Sequence, residues 1–196
     1  MPRTAREPLA ATPAQTIGPF FGHALPFPGG DRIAPEGDPG AVTLHGRVRD
    51  GDGAPVPDAL LEFWRPGPDA GPPRPDPATG APPGRGGPAA TGFGRVPTDA
   101  AGHYAVHTPL PAARPDAAPH LALCVHARGL LHPLFTRVYF GGPAALAADP
   151  LLARLPAERA RTLLARPDGP GRHRFDIQLR QPADGRCAET VFLAFR

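Results

Sequence analysis

The chain has 196 residues, 21 basic and 18 acidic, giving a net charge of +3 and a pI near 9.5. Every basic residue is Arg, and these are scattered rather than striped, so no nucleic-acid partner is expected. No apolar run approaches the ~18 residues of a membrane span, and the 41% hydrophobic and 20% charged content is that of one globular domain with a real core.

Taken in order, Met1–Asp38 read as an extended arm, and residues 39–196 as the folded domain. The arm has no continuous apolar leader, which makes the cytoplasm the default location. Within it, Thr12–Phe21 (TPAQTIGPFF) ends in Gly-Pro and two aromatics, a turn expected to dock on an apolar surface. Each Phe is worth about 1.5–3 kcal/mol when buried. Ala41–Val48 alternates as a strand, Asp50-Gly51-Asp52-Gly53 is a turn, and Ala59–Arg65 is the returning strand. Trp64, the one Trp, is the expected core anchor. Pro66–Gly92 is a Pro- and Gly-rich stretch without aromatic residues and reads as a long mobile loop.

Phe93–Thr98 and His103–Thr108 bracket Asp99–Gly102 as a hairpin. After a Pro-rich connection, His120–Ala127 and Leu134–Phe140 form two apolar strands, joined through Arg128–Pro133, with Gly129 at the turn. Asp149-Pro150 has the pattern of an N-cap followed by Pro, opening a helical stretch divided at Pro156 and running to Arg166. In His173–Arg180, Phe175, Ile177 and Leu179 face one way; Glu189–Phe195 closes the chain as a strand. The elements predict a mainly β fold: an antiparallel β-sandwich with a short helical insertion and an extended N-terminal arm.

Candidate chemistry is sparse. No Ser exists in the chain, so a serine nucleophile is excluded. The two cysteines, Cys124 and Cys187, show no CxxC spacing, and Cys124 lies mid-strand, where a thiol is normally inert. Among eight histidines, His103 and His107 share one strand face, and His120 and His126 another, with no carboxylate or cysteine at helpful sequence spacing. Tyr104 and Tyr139 sit inside strands and read as packing residues with tethered hydroxyls. No phosphate loop or nucleophile elbow is present.

Five blocks nevertheless come in a telling order: TPAQTIGPFF, LHGRVRDGDGAPVPDALLEFWR, GFGRVPTDAAGHYAVHTPLP, APHLALCVHARGLLHPLFTRVYF and HRFDIQLR with ETVFLAF. In this order the chain resembles the intradiol ring-cleavage dioxygenases, from Thr12 to the C-terminus. Catalytic chains of that family hold a ferric ion with two Tyr and two His. Against their Pro-Ala-His-x-His strand this chain has Pro119-His120-Leu121-Ala122, with Ala117 where the family's active-site Arg stands. Neither ligand-tyrosine loop contains a Tyr. The resemblance therefore implies a subunit that binds no metal and provides no catalytic residue of its own. It would pair with a homologous beta chain carrying the Fe(III), in a hetero-oligomer acting on O2 and 3,4-dihydroxybenzoate. It further implies that Thr16, Gly18, Pro19 and Arg128 line the substrate cavity over the partner's iron. Two other readings stand beside this one. One is a non-enzymatic transthyretin-like binding module. The other is a self-sufficient metalloenzyme using His103, His107 and His120.

Overall fold

The computed structural model describes residues 21–65, 92–185 and 187–194. A short helix α1 (Phe21–Ala24) precedes β1 (Ala41–Arg49), β2 (Leu60–Trp64), β3 (Phe93–Pro97), β4 (His103–Pro109), β5 (His120–His126) and β6 (Leu134–Tyr139). Then come α2 (Pro143–Ala147), a single 3-10 turn at Leu152–Arg154, α3 (Ala157–Arg161), β7 (Arg166–Pro167), β8 (Arg172–Arg174) and β9 (Ile177–Gln178). These strands form two sheets. One has the order β4-β1-β8-β7, with β9 also on β1, and the other has the order β3-β2-β5-β6. The β-sandwich expected from the sequence is thus the fold. Its pairing is mostly antiparallel, but β8 and β9 both run parallel to β1.

The alternating apolar residues fill the space between the sheets. Val42, Leu44 and Val48 of β1, Leu61 and Phe63 of β2, and Leu121, Leu123 and Val125 of β5 are all buried. Tyr104 packs against Phe63 at 5.7 Å between ring centres and donates its hydroxyl to the Phe175 carbonyl at 2.6 Å. Gly46 is required by that crossing, because a Cβ there would stand 1.8 Å from the same carbonyl. The Asp176 carboxylate accepts the Arg47 N–H in place of a strand partner, which splits the expected strand His173–Arg180 into β8 and β9. Its inward set survives the break: Phe175 and Ile177 are buried, and Leu179 packs on the core.

Three other expectations change. The stretches around Asp50–Gly53 and Asp99–Gly102 do not close hairpins. In each, the Asp carboxylate accepts two N–H groups of the turn, and the chain passes from one sheet to the other. Thus β2 leaves β1 for the second sheet, and β3 and β4 lie in different sheets. Trp64 is not a core anchor. It follows inward-facing Phe63, so strand alternation turns it outward, where it is 45% exposed. Glu189–Phe195 forms no regular strand among the described residues and joins the sheet through one bridge, Leu193 to Phe135.

The helical insertion is fastened by Asp149, which is fully buried. Its carboxylate accepts the N–H groups of Ala118, Leu151 and Leu152 at 2.9–3.1 Å and the Tyr139 hydroxyl at 3.2 Å. This is the cap predicted from sequence, although Pro150 and Pro156 break the helix into short turns. Burial would raise the Asp149 pKa, but the donors from Leu152, Ala118, Leu151 and Tyr139 outweigh it and hold the carboxyl below its usual value. Asp149→Ala should destabilise the chain by about 3 kcal/mol, lowering Tm by about 6–12 °C. Because the folded pKa is depressed, this stabilisation is present above the unfolded value of about 3.9 and is lost as pH falls through the lower folded value. Melting curves of wild type and Asp149→Asn should therefore converge only below about pH 4.

Candidate functional site

The candidate site lies on the outer face of the four-stranded sheet and at the end where β5 turns into β6. Gly129 has a φ of 86°, the left-handed conformation that lets this tight connection close. Just before it, Arg128 donates from Nε to Asp58 Oδ2 at 2.7 Å. The Arg128 side chain is 70% exposed and that of Asp58 25%, so the pair is anchored on its acidic side and open on its basic side. The N-terminal segment meets the same corner. A Cβ on Gly22 of α1 would lie 4.0 Å from the Asp58 carbonyl oxygen. Of the residues expected to line a cavity, Arg128 is therefore placed, while Thr16, Gly18 and Pro19 lie outside the described residues.

Along the sheet, Glu62 pairs directly opposite Arg95 on one side and Cys124 on the other. Arg95 binds Glu62 Oε1 through Nε at 2.8 Å and Nη2 at 2.6 Å, and its Nη1 donates to the Leu25 carbonyl at 2.9 Å. Its guanidinium also rests on the rings of Phe93 and Phe27, at 5.3 and 6.0 Å. A hydrogen bond from His126 and the charge of Arg95 hold the Glu62 carboxyl below its usual value against the opposing effect of burial. Trp64 and Phe135 are exposed on this face, and Leu131 is exposed in the β5–β6 connection. The sequence reading missed Asp58, Glu62 and Arg95. A lone Glu inside the apolar strand Leu60–Trp64 was the available sign, but its partners come from strands far away in sequence.

The strand matched to the family's iron-ligand motif is β5. His120 is nearly buried, its Nδ1 is 2.9 Å from the Ala118 carbonyl, and its ring lies 5.3 Å from that of Tyr139. Burial lowers its pKa, so near neutral pH the ring is neutral with Nδ1–H donating to Ala118. Ala122 offers no ligand atom. Tyr139 donates to Asp149 and accepts from Arg137 at 3.1 Å, and Tyr104 is tied to Phe175 in the core. Burial raises both phenols above their ordinary value. These residues do not fit a ferric site built from two tyrosinates and two histidines. The three-histidine alternative also fails, because His103 and His107 belong to β4 of one sheet and His120 to β5 of the other.

The sequence is 41% identical over 205 residues to the protocatechuate 3,4-dioxygenase alpha chain of Burkholderia cepacia, covering 94% of this chain and 97% of the relative. It is 35% identical over 211 residues to the alpha chain of the same enzyme from Pseudomonas putida, covering 96% and 98%. No protein-family model matches. Among solved structures, hydroxyquinol 1,2-dioxygenase from Pseudomonas putida DLL-E4 is similar at a TM-score of 0.53 and 21% identity, over 88% of this chain and 68% of that one. The dioxygenase domain of a dioxygenase carbohydrate-binding protein fusion from Streptomyces sp. SirexAA-E gives 0.52 and 23%, over 77% and 87%. At these identities the structures speak to the fold.

The thiol of Cys124 is pushed up to about 12 by burial and by the Glu62 charge, whereas Cys187 is exposed. In chelator-treated native chain at pH 8, a disulfide thiol reagent should modify Cys187 quickly and Cys124 at least about 100-fold more slowly. Cys187→Ser should abolish the fast phase.

Proposed function

The chain belongs to the family of protocatechuate 3,4-dioxygenase alpha chains, and we propose that it completes the substrate cavity of an iron-bearing beta chain while binding no iron itself. The holoenzyme adds both atoms of O2 to 3,4-dihydroxybenzoate. The ring bond between the two hydroxyl-bearing carbons breaks, giving β-carboxy-cis,cis-muconate. Iron held by the beta chain would activate the catechol. The observation that carries this division of labour is β5, where Ala122 stands at the second histidine position and His120 is turned to the Ala118 carbonyl. Both tyrosines of the chain are engaged elsewhere.

Arg128 is the residue this chain offers to substrate. Asp58 holds its Nε and so fixes the direction of the guanidinium, while the side chain stays largely exposed. A guanidinium stays charged at any working pH and matches a carboxylate. That chemistry suits the acid group of 3,4-dihydroxybenzoate. Thr16, Gly18 and Pro19 would join it from the arm. The exposed Trp64, Phe135 and Leu131 supply apolar surface of the kind a permanent partner covers.

Two outcomes test the reading. The purified chain should be colourless and hold no stoichiometric iron, whereas its complex with the beta chain should be coloured and iron-loaded. Tight iron uptake by the chain alone, lost in His120→Ala, would refute this. In the complex, Arg128→Ala should lower kcat/KM for 3,4-dihydroxybenzoate by about 10–150-fold, the equivalent of a charge-assisted hydrogen bond of 1.5–3 kcal/mol. Iron content should be unchanged, and unsubstituted catechol should suffer much less. Equal losses on both substrates would reduce Arg128 to an interface residue.

A further inference from the structure

We propose that Glu62, Cys124 and His126 form a binding site for one zinc-like divalent ion, on residues other than those matched to the family's iron ligands. Their donor atoms lie within 4.8 Å of one another and form the one such group among the described residues. His126 Nε2 is 3.4 Å from Cys124 Sγ and 3.4 Å from Glu62 Oε2. The contact to Glu62 is a long hydrogen bond beside the ~2.9–3.0 Å of a good N–H···O pair, and the contact to Cys124 is an ordinary N···S hydrogen-bond distance. They match the separations across a tetrahedral metal. With bonds of about 2.0 Å to nitrogen, 2.1 Å to oxygen and 2.3 Å to sulfur, the nitrogen sits about 3.4 Å from the oxygen and about 3.5 Å from the sulfur.

The sheet produces this convergence. Glu62 on β2 is directly opposite Cys124 on β5. His126 is two residues beyond Cys124 and therefore on the same face, so, against the expectation from sequence spacing, a cysteine does lie beside a histidine at ligand distance. Arg95 completes the geometry by occupying Glu62 Oε1 through two nitrogens, so that Oε2 is the oxygen turned toward His126. Arg95 is itself fixed by the Leu25 carbonyl and the Phe93 and Phe27 rings. It plays the part of an outer partner that orients a ligating carboxylate.

The donor set decides the kind of ion. A thiolate, an imidazole and a carboxylate are the ligands zinc takes, and the thiolate selects against magnesium and calcium. Ionised Cys124 and Glu62 bring two negative charges for a divalent cation; the proton leaving Cys124 passes to solvent as the metal–sulfur bond forms. Glu62 and His126 are each about one-fifth exposed, so an ion can enter and a water can take the fourth position.

The test uses the full chain, reduced and freed of metal by a chelator, with zinc chloride followed by calorimetry and cobalt(II) as the spectroscopic probe. The expected result is one zinc per chain and a thiolate-to-cobalt charge-transfer band. Both should persist in Cys187→Ala, which leaves Cys124 as the lone thiol. Cys124→Ala and His126→Ala should each weaken zinc binding by about 100-fold or more, and Arg95→Met by the 10–100-fold of an outer partner. Failure of the wild-type chain to take up zinc would overturn the proposal. So would a cobalt–thiolate band that disappears in Cys187→Ala.

Discussion

The register of β5 between β2 and β6 is the constraint on which the site depends. A strand has a period of two, so a slip by one residue would exchange its faces. Leu121, Leu123 and Val125 forbid that slip, because all are buried between the sheets and would be driven into the outer face. With them fixed inward, His120, Ala122, Cys124 and His126 must point the other way. The pairing then sets Cys124 opposite Glu62 and Ala122 opposite Trp64. It also delivers Arg128, two residues past His126, to the sheet end where Asp58 waits. A core requirement thus determines which side chains reach a surface that the core does not use.

That surface is organised unlike a simple solvated face. The ion pair Arg95–Glu62 is mostly shielded and its cation lies against two aromatic rings, so it is more than a freely hydrated surface bridge. Around it, Trp64, Phe135 and Leu131 remain exposed. Exposed aromatic side chains beside Arg are the make-up of a protein–protein interface. A subunit whose function needs a partner would present such a face. The alpha-chain relatives, matched over nearly the whole length, imply a beta chain as that partner.

Much of this was legible in the sequence, and the failures have physical causes. Strand positions followed from alternation, and the β5–β6 hairpin followed from apolar strands around Gly129. What alternation cannot give is the partner of each strand. The Asp50 and Asp99 turns carry the residues of hairpins, yet long-range packing sends the chain across the sandwich at both. Size alone marks Trp64 as a core residue, but its parity with Phe63 turns it outward. The Asp149-Pro150 pattern shows a cap, but the grip of Asp149 on Ala118 and Tyr139 depends on contacts distant in sequence. Arg128 is marked in the sequence by its motif, its role toward substrate being a proposal, whereas Asp58, Glu62 and Arg95 acquire meaning only once β2, β3 and β5 are side by side. The expectations for Pro66–Gly92 and for Thr16, Gly18 and Pro19 fall almost wholly on residues outside those described.

The most direct measurement is the activity of a purified beta chain on 3,4-dihydroxybenzoate as this chain is added in increasing ratio. Ring cleavage should rise with each addition and level off at one chain per beta chain, with none from this chain alone. A beta chain whose turnover is the same with and without it, or turnover by this chain alone, would contradict the account.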